Sequence, residues 1–137
     1  MITLARTTKK TIAPPESIFK LWADINRWAE YDQGIEWAKL EQPFTVGSNY
    51  TLKPKGGPRV KATIAEVEVN KKFVDISHLF GAKLRFDHTI NQGMVTVVMT
   101  LTGPLSWLWV RILGKNQQAD LEQSTINLIA KAEGRRA

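Results

Sequence analysis

The chain has 137 residues, 43% hydrophobic and 23% charged, which suits one globular domain spanning 1–137. It has no cysteine, which excludes a disulfide framework and thiolate metal sites. Lys and Arg exceed Asp and Glu by 19 to 13, giving +6, yet the basic residues are scattered in pairs such as Lys9–Lys10, Lys71–Lys72 and Arg135–Arg136, so no basic block points to nucleic acid.

The opening MITLARTTKK lacks the continuous apolar core of a signal peptide. Weak alternation and threonine over residues 2–12 predict a first strand, ended by Pro14 and Pro15. Ile18, Leu21, Trp22 and Ile25 recur at helical spacing, with proline and Glu16 suited to a first turn, so a short helix is predicted over 15–23. Asp24 or Asn26 can cap a second short helix carrying Trp28. From Gly34 the period becomes two. Trp37 shares a face with Ile35 and Lys39, and the pattern leaves open which face is inward. Strands follow around Tyr50–Leu52 and Val60–Ile64, joined by PKGG at 54–57, and a phase slip between Ile64 and Val67 predicts a bulge.

The clearest alternation comes next. Val74, Ile76, His78 and Phe80 fall on one face, with Asp75 and Ser77 on the other. Leu84, Phe86, His88 and Ile90 alternate with Arg85, Asp87 and Thr89, and Val95, Val97, Met99 and Leu101 form the apolar face of a last strand. Val74, Ile76, Val95, Val97, Met99, Leu121 and Leu128 are therefore expected to be buried together. After Gly103-Pro104, residues 105–133 read as one long helix, with a kink or break possible at Gly114. Its most apolar run, LSWLWVRIL at 105–113, is too short to span a bilayer and contains Arg111. The expectation is a soluble, cytoplasmic protein without stable membrane insertion.

The order of elements predicts an α+β domain: a curved antiparallel sheet of about seven strands around a long C-terminal helix, with two short helices after the first strand. That order, with APPESIFKLWADINRWAEYDQGIEW (13–37), PFTVGSNYTLKPKGG (43–57), ATIAEVEVNKKF (62–73) and LEQSTINLIAKAE (121–133), resembles the START-related helix-grip superfamily, SRPBCC. The similarity is nearest to the polyketide cyclase/dehydrase and lipid-transport type. It covers nearly the whole chain, and its motifs are structural. The resemblance implies an apolar or amphipathic small molecule held between sheet and helix. It carries over no catalytic residue.

Residue by residue, chemistry is sparse. Two histidines and no H-E-x-x-H leave no His-rich zinc site, and no metal or other cofactor is expected. No G-x-S-x-G is present, and KPKGGPRVK lacks the helix entry of a phosphate loop. The candidate ligand-binding residues are His78, His88, Phe86, Tyr50, Trp28, Trp37, Trp109, Asn116 and Gln117. If Gly81-Ala82-Lys83 is the connecting loop, His78 and His88 are diagonal neighbours, about 7–8 Å apart, both facing inward. Asn116 and Gln117 could face inward from a helix laid across a cavity. Trp107 and Trp109 beside Arg111 could instead sit at a membrane interface. The expected function is binding, transport or sequestration of a hydrophobic or aromatic small molecule or lipid. A cyclase or dehydratase using His78 or His88 as general acid/base and a regulatory module without small ligand stay open beside it.

Overall fold

The computed structural model describes residues 1–134, so Arg135–Arg136 lies outside the described residues. β1 (Ile2–Lys10) leads into α1 (Pro15–Ala23) and a 3-10 helix (Ile25–Glu30). Then come β2 (Ile35–Lys39), β3 (Asn49–Pro54), β4 (Val60–Glu68), β5 (Lys72–Leu79), β6 (Ala82–Asn91) and β7 (Met94–Thr102). Two helices follow, α2 (Ser106–Leu113) and α3 (Gln117–Ala132). The strands form one sheet in the order β1-β7-β6-β5-β4-β3-β2, antiparallel at every pairing and curled into a half-barrel. This is a helix-grip fold.

Local chemistry sets the boundaries. Pro15 pushes Pro14 into extended backbone (φ −64°, ψ 148°) and fills the helix's first turn, where its missing N–H costs nothing. Gln92 and Gly93 both take positive φ (50° and 74°), which suits the tight two-residue turn between Asn91 and its partner Met94. A bulge between Ile64 and Glu66 accounts for the phase slip in β4.

The expected single C-terminal helix is divided. Gly114 adopts φ 79°, ψ −171°, a conformation open only to glycine, and the chain restarts at Gln117. α3 does the gripping, chiefly against β1. Gln118 clamps its first turn to the sheet, accepting from the Arg6 N–H (2.9 Å) and donating to the Arg6 carbonyl (2.8 Å). At the other end Glu133 accepts from the Thr11 hydroxyl (2.7 Å) and the Ile12 N–H (3.0 Å).

The core falls into two apolar clusters. One joins Ile18, Trp22, Ile25 and Trp28 to Tyr50, Ile64, Phe73, Leu128 and Ile129. The other joins Ala5, Leu84, Val97, Met99 and Leu101 to Leu121. Val95, Val97, Met99, Leu121 and Leu128 are buried as expected, though Val95 and Leu128 fall in the first cluster and the other three in the second. Val74 is buried but lies on the outer face between Asp87 and Glu66, and Ile76 is half-buried there.

Candidate functional site

The register between β5 and β6 decides which side chains enter the interior. Leu79 pairs with Ala82, so the turn is Phe80–Gly81 and not the three residues 81–83. A change of odd size in the pairing moves every side chain of a strand to the opposite face. His78 therefore pairs with Lys83 on the outer face, and the expected inward-facing pair of histidines is not formed. His78 is exposed, with Nε2 2.8 Å from the Thr63 hydroxyl, which in turn donates to Asn49 (2.7 Å). The residues that do enter are Phe73, Asp75 and Ser77, which pair with His88, Phe86 and Leu84. Asp75, assigned by alternation to the outer face, is an interior residue with 2% exposure.

Asp75 is the chemically unusual residue of the interior. Tyr50 donates its hydroxyl to Asp75 Oδ2. Tyr50 belongs to β3, two strands away, and the intervening β4 residue that pairs with it is the small Ala62. Asp75 Oδ1 is buried and meets no hydrogen-bond partner among the described residues. Burial pushes this carboxyl up to about 7, against the pull of the Tyr50 hydroxyl and its own backbone amide, and Asp87 adds to the rise. Burial also raises the Tyr50 and Tyr31 hydroxyls well above their ordinary values, with Asp75 contributing to both.

His88 sits one diagonal step from Asp75. Its ring stacks on Phe73 (4.8 Å between centroids), and Trp22 and Phe86 lie within 5.2 and 6.2 Å. Nδ1 lies 3.0 Å from the Phe73 carbonyl. A carbonyl only accepts, so Nδ1 carries the proton and Nε2 is left as an acceptor. Burial holds the imidazole down at about 4, only partly opposed by that carbonyl and by Asp87, so it is neutral at pH 7. Thr7, on β1 and level with Val97 and His88, has a buried hydroxyl that likewise meets no partner among the described residues. Thr125 of α3 is buried too, its hydroxyl donating to the Leu121 carbonyl (2.8 Å). Thr7, Asp75, Ser77 and Thr125 are thus buried polar residues, and His88 is half-buried on the inner face it shares with Asp75.

The other expected site residues divide. Trp28 is buried over Tyr50 (5.4 Å, edge to face) and donates Nε1–H to the Trp22 carbonyl. Phe86 is half-buried on the inner face. Trp37 departs from this group and lies under the Arg59 guanidinium (5.8 Å). Trp109 packs against the second cluster, its Nε1–H bonded to the Phe80 carbonyl (2.7 Å). Asn116 is exposed in the α2–α3 connection, and Gln117 bridges the break by donating to the Leu113 carbonyl (2.8 Å). Asp75 and Thr7 were missed. The parity of β5 turned on the length of the Phe80–Gly81 turn, in which Gly81 takes φ 69°.

Two shallow clefts lie elsewhere on the surface. One, of about 350 Å³, runs beside Val46, Glu66, Glu68 and Lys72; the other, of about 300 Å³, runs beside Lys39, Asn49, Tyr50, Lys61 and His78. Neither is lined by Asp75 or His88. Among the described residues, no helix is long and apolar enough to cross a membrane.

No family model and no curated protein matches the chain. Solved structures do. Protein MLL2253 from Mesorhizobium loti superposes with a TM-score of 0.69 at 13% identity, over 97% of this chain and 98% of that one. TTHA0849 from Thermus thermophilus gives 0.66 at 15%, over 95% and 97%. StfQ, the di-domain ARO/CYC from the steffimycin biosynthetic pathway, gives 0.68 at 13%, over 97% of this chain and 52% of that one. At such identities the likeness is one of fold.

Proposed function

We propose that the chain is a single-domain member of the SRPBCC superfamily that binds an apolar or aromatic small molecule against the inner face of the sheet. Asp75, Tyr50 and His88 are its polar anchors. One observation carries this reading: a buried carboxyl with one oxygen unpartnered among the described residues, on an inner face it shares with Phe73, Phe86 and Leu84. An unpaired buried polar atom is costly, and a ligand hydroxyl or carbonyl is the kind of group that would relieve it. Apolar burial would supply affinity and the anchors would supply orientation. The neutral His88 accepts at Nε2, and a protonated Asp75 can donate, so the ligand class is one with a hydroxyl and a carbonyl on an apolar frame.

The test is thermal denaturation with a hydroxylated aromatic probe, together with native mass spectrometry of the purified protein. Saturable stabilisation is expected, lost on Asp75→Asn. A wild-type protein indifferent to all such probes and free of copurified small molecules would sink the reading.

A second reading has its own support. A carboxyl lifted to about 7 exchanges a proton near neutral pH, as acid/base catalysis requires. A ring-closing or dehydrating step on a polyketide-like substrate would then use Asp75, in place of the expected histidines. Turnover lost in Asp75→Asn with probe binding kept would favour it.

A further inference from the structure

The outward side of α2 is apolar. A short helix on a protein surface ordinarily turns polar residues to water. Here Trp107 is 59% exposed, Ile112 57% and Val110 36%, and Arg111 is the helix's one charged residue. Phe80, in the β5–β6 turn, is 83% exposed. Turn and helix are fastened together. The Leu105 N–H donates to the Gly81 carbonyl (2.9 Å), the Trp109 indole donates to the Phe80 carbonyl (2.7 Å), and the Leu105 side chain fills the space a Cβ on Gly81 would need. Four of the nine exposed large apolar side chains among the described residues thus belong to one turn-and-helix unit.

Its charge is one-sided. No Asp or Glu occurs between Asp87 and Asp120. Lys83, Arg111 and Lys115 lie within the unit or beside it in sequence, and among the described residues none of the three forms an ion pair.

We infer that this unit is a reversible docking surface for an anionic lipid bilayer, with Phe80, Trp107 and Ile112 at the headgroup level and Lys83, Arg111 and Lys115 on the lipid phosphates. Tryptophan favours that depth, where its ring is buried and its N–H stays near polar groups. The helix is far too short to span and lies in the interfacial plane. A second copy of the chain is the poorer occupant, because a two-fold contact through this patch would bring like charges together. The inference does not depend on an interior ligand.

The test is sedimentation of the full chain with vesicles of phosphatidylcholine alone and of phosphatidylcholine mixed with phosphatidylglycerol. Binding to the anionic vesicles is expected, weakened by salt and accompanied by a blue shift of tryptophan emission. Trp107→Glu and Ile112→Glu should each weaken it by about tenfold or more, and Arg111→Gln by about fivefold. Val69→Glu, at an exposed apolar residue elsewhere, should leave it unchanged. Unchanged melting temperatures would show that the variants fold. Absence of binding to anionic vesicles at low salt, equal loss in Val69→Glu, or a dimer dissolved by Trp107→Glu without any vesicle binding would each overturn the inference.

Discussion

Asp75 and His88 lie diagonally across β5 and β6 on the inner face, with Phe73 and Phe86 at the other two corners. Burial shifts both toward their neutral forms, Asp75 upward and His88 downward. The consequences for stability have opposite signs. Between 3.8, the ordinary carboxyl value, and about 7, the folded state holds a proton on Asp75 that the unfolded chain has released, so this group's contribution falls as pH rises. Between about 4 and 6.5, the unfolded chain holds a proton that folded His88 rejects, so this contribution grows as pH rises. The two oppose each other below 6.5. We predict that, relative to the wild type, Asp75→Asn makes stability rise more with pH from 4 to 6.5 and His88→Phe makes it fall. Urea denaturation across this range measures both, and identical slopes in the two variants would refute the assignment.

Tyr50→Phe removes the side-chain donor to Asp75 found among the described residues. A loss of about 1–3 kcal/mol is expected, with the carboxyl titrating higher still. Adding Asp75→Leu to Tyr50→Phe should cost less than the two single changes summed, since the pair acts as one unit. Strict additivity in the double-mutant cycle would contradict the contact.

The two histidines should separate cleanly. His88→Phe keeps the stacked ring and removes the Nε2 acceptor, so binding of a hydroxylated aromatic probe should weaken by about tenfold. His78→Phe, on the outer face, should leave that binding unchanged. Equal effects in a titration would place the ligand elsewhere.

Three glycines give a graded series. A Cβ at Gly103 would fall 2.7 Å from the Gly81 carbonyl oxygen, and one at Gly81 would fall 2.5 Å from Leu105 Cδ1. Gly114 has open space around it, so alanine there meets backbone strain alone. We expect about 1 kcal/mol for Gly114→Ala and about 2–3 kcal/mol for each of the others, read from chemical denaturation.

Much of this fold was legible because its signals are local. Pro15 with Ile18 and Trp22 predicts α1 over its observed range, and the alternation from Leu84 to Leu101 identifies the inner faces of β6 and β7. β5 defeated the same reasoning because Val74 is wholly buried on the outer side while Asp75 and Ser77 point inward. Hydrophobicity there ran against orientation, and only the length of the Phe80–Gly81 turn could have resolved it. The expected pair His78 and His88 gave way to Asp75 and His88 through that one register. Asn116 and Gln117 were misplaced for a different reason: the break at Gly114 resets the helical phase, so no face can be projected through it.

The position of β1 has a consequence for how the chain folds. β2 to β7 are joined in sequence order, each to the next, and can zip together hairpin by hairpin. β1 instead pairs with β7, where Ile2 meets Leu101 and Lys10 meets Met94. β1 therefore emerges ahead of β2 to β7 yet finds its neighbour only after all of them. Until β7 emerges, a threonine-rich ribbon with Arg6, Lys9 and Lys10 waits unpaired, and those charges guard it against pairing with another nascent chain.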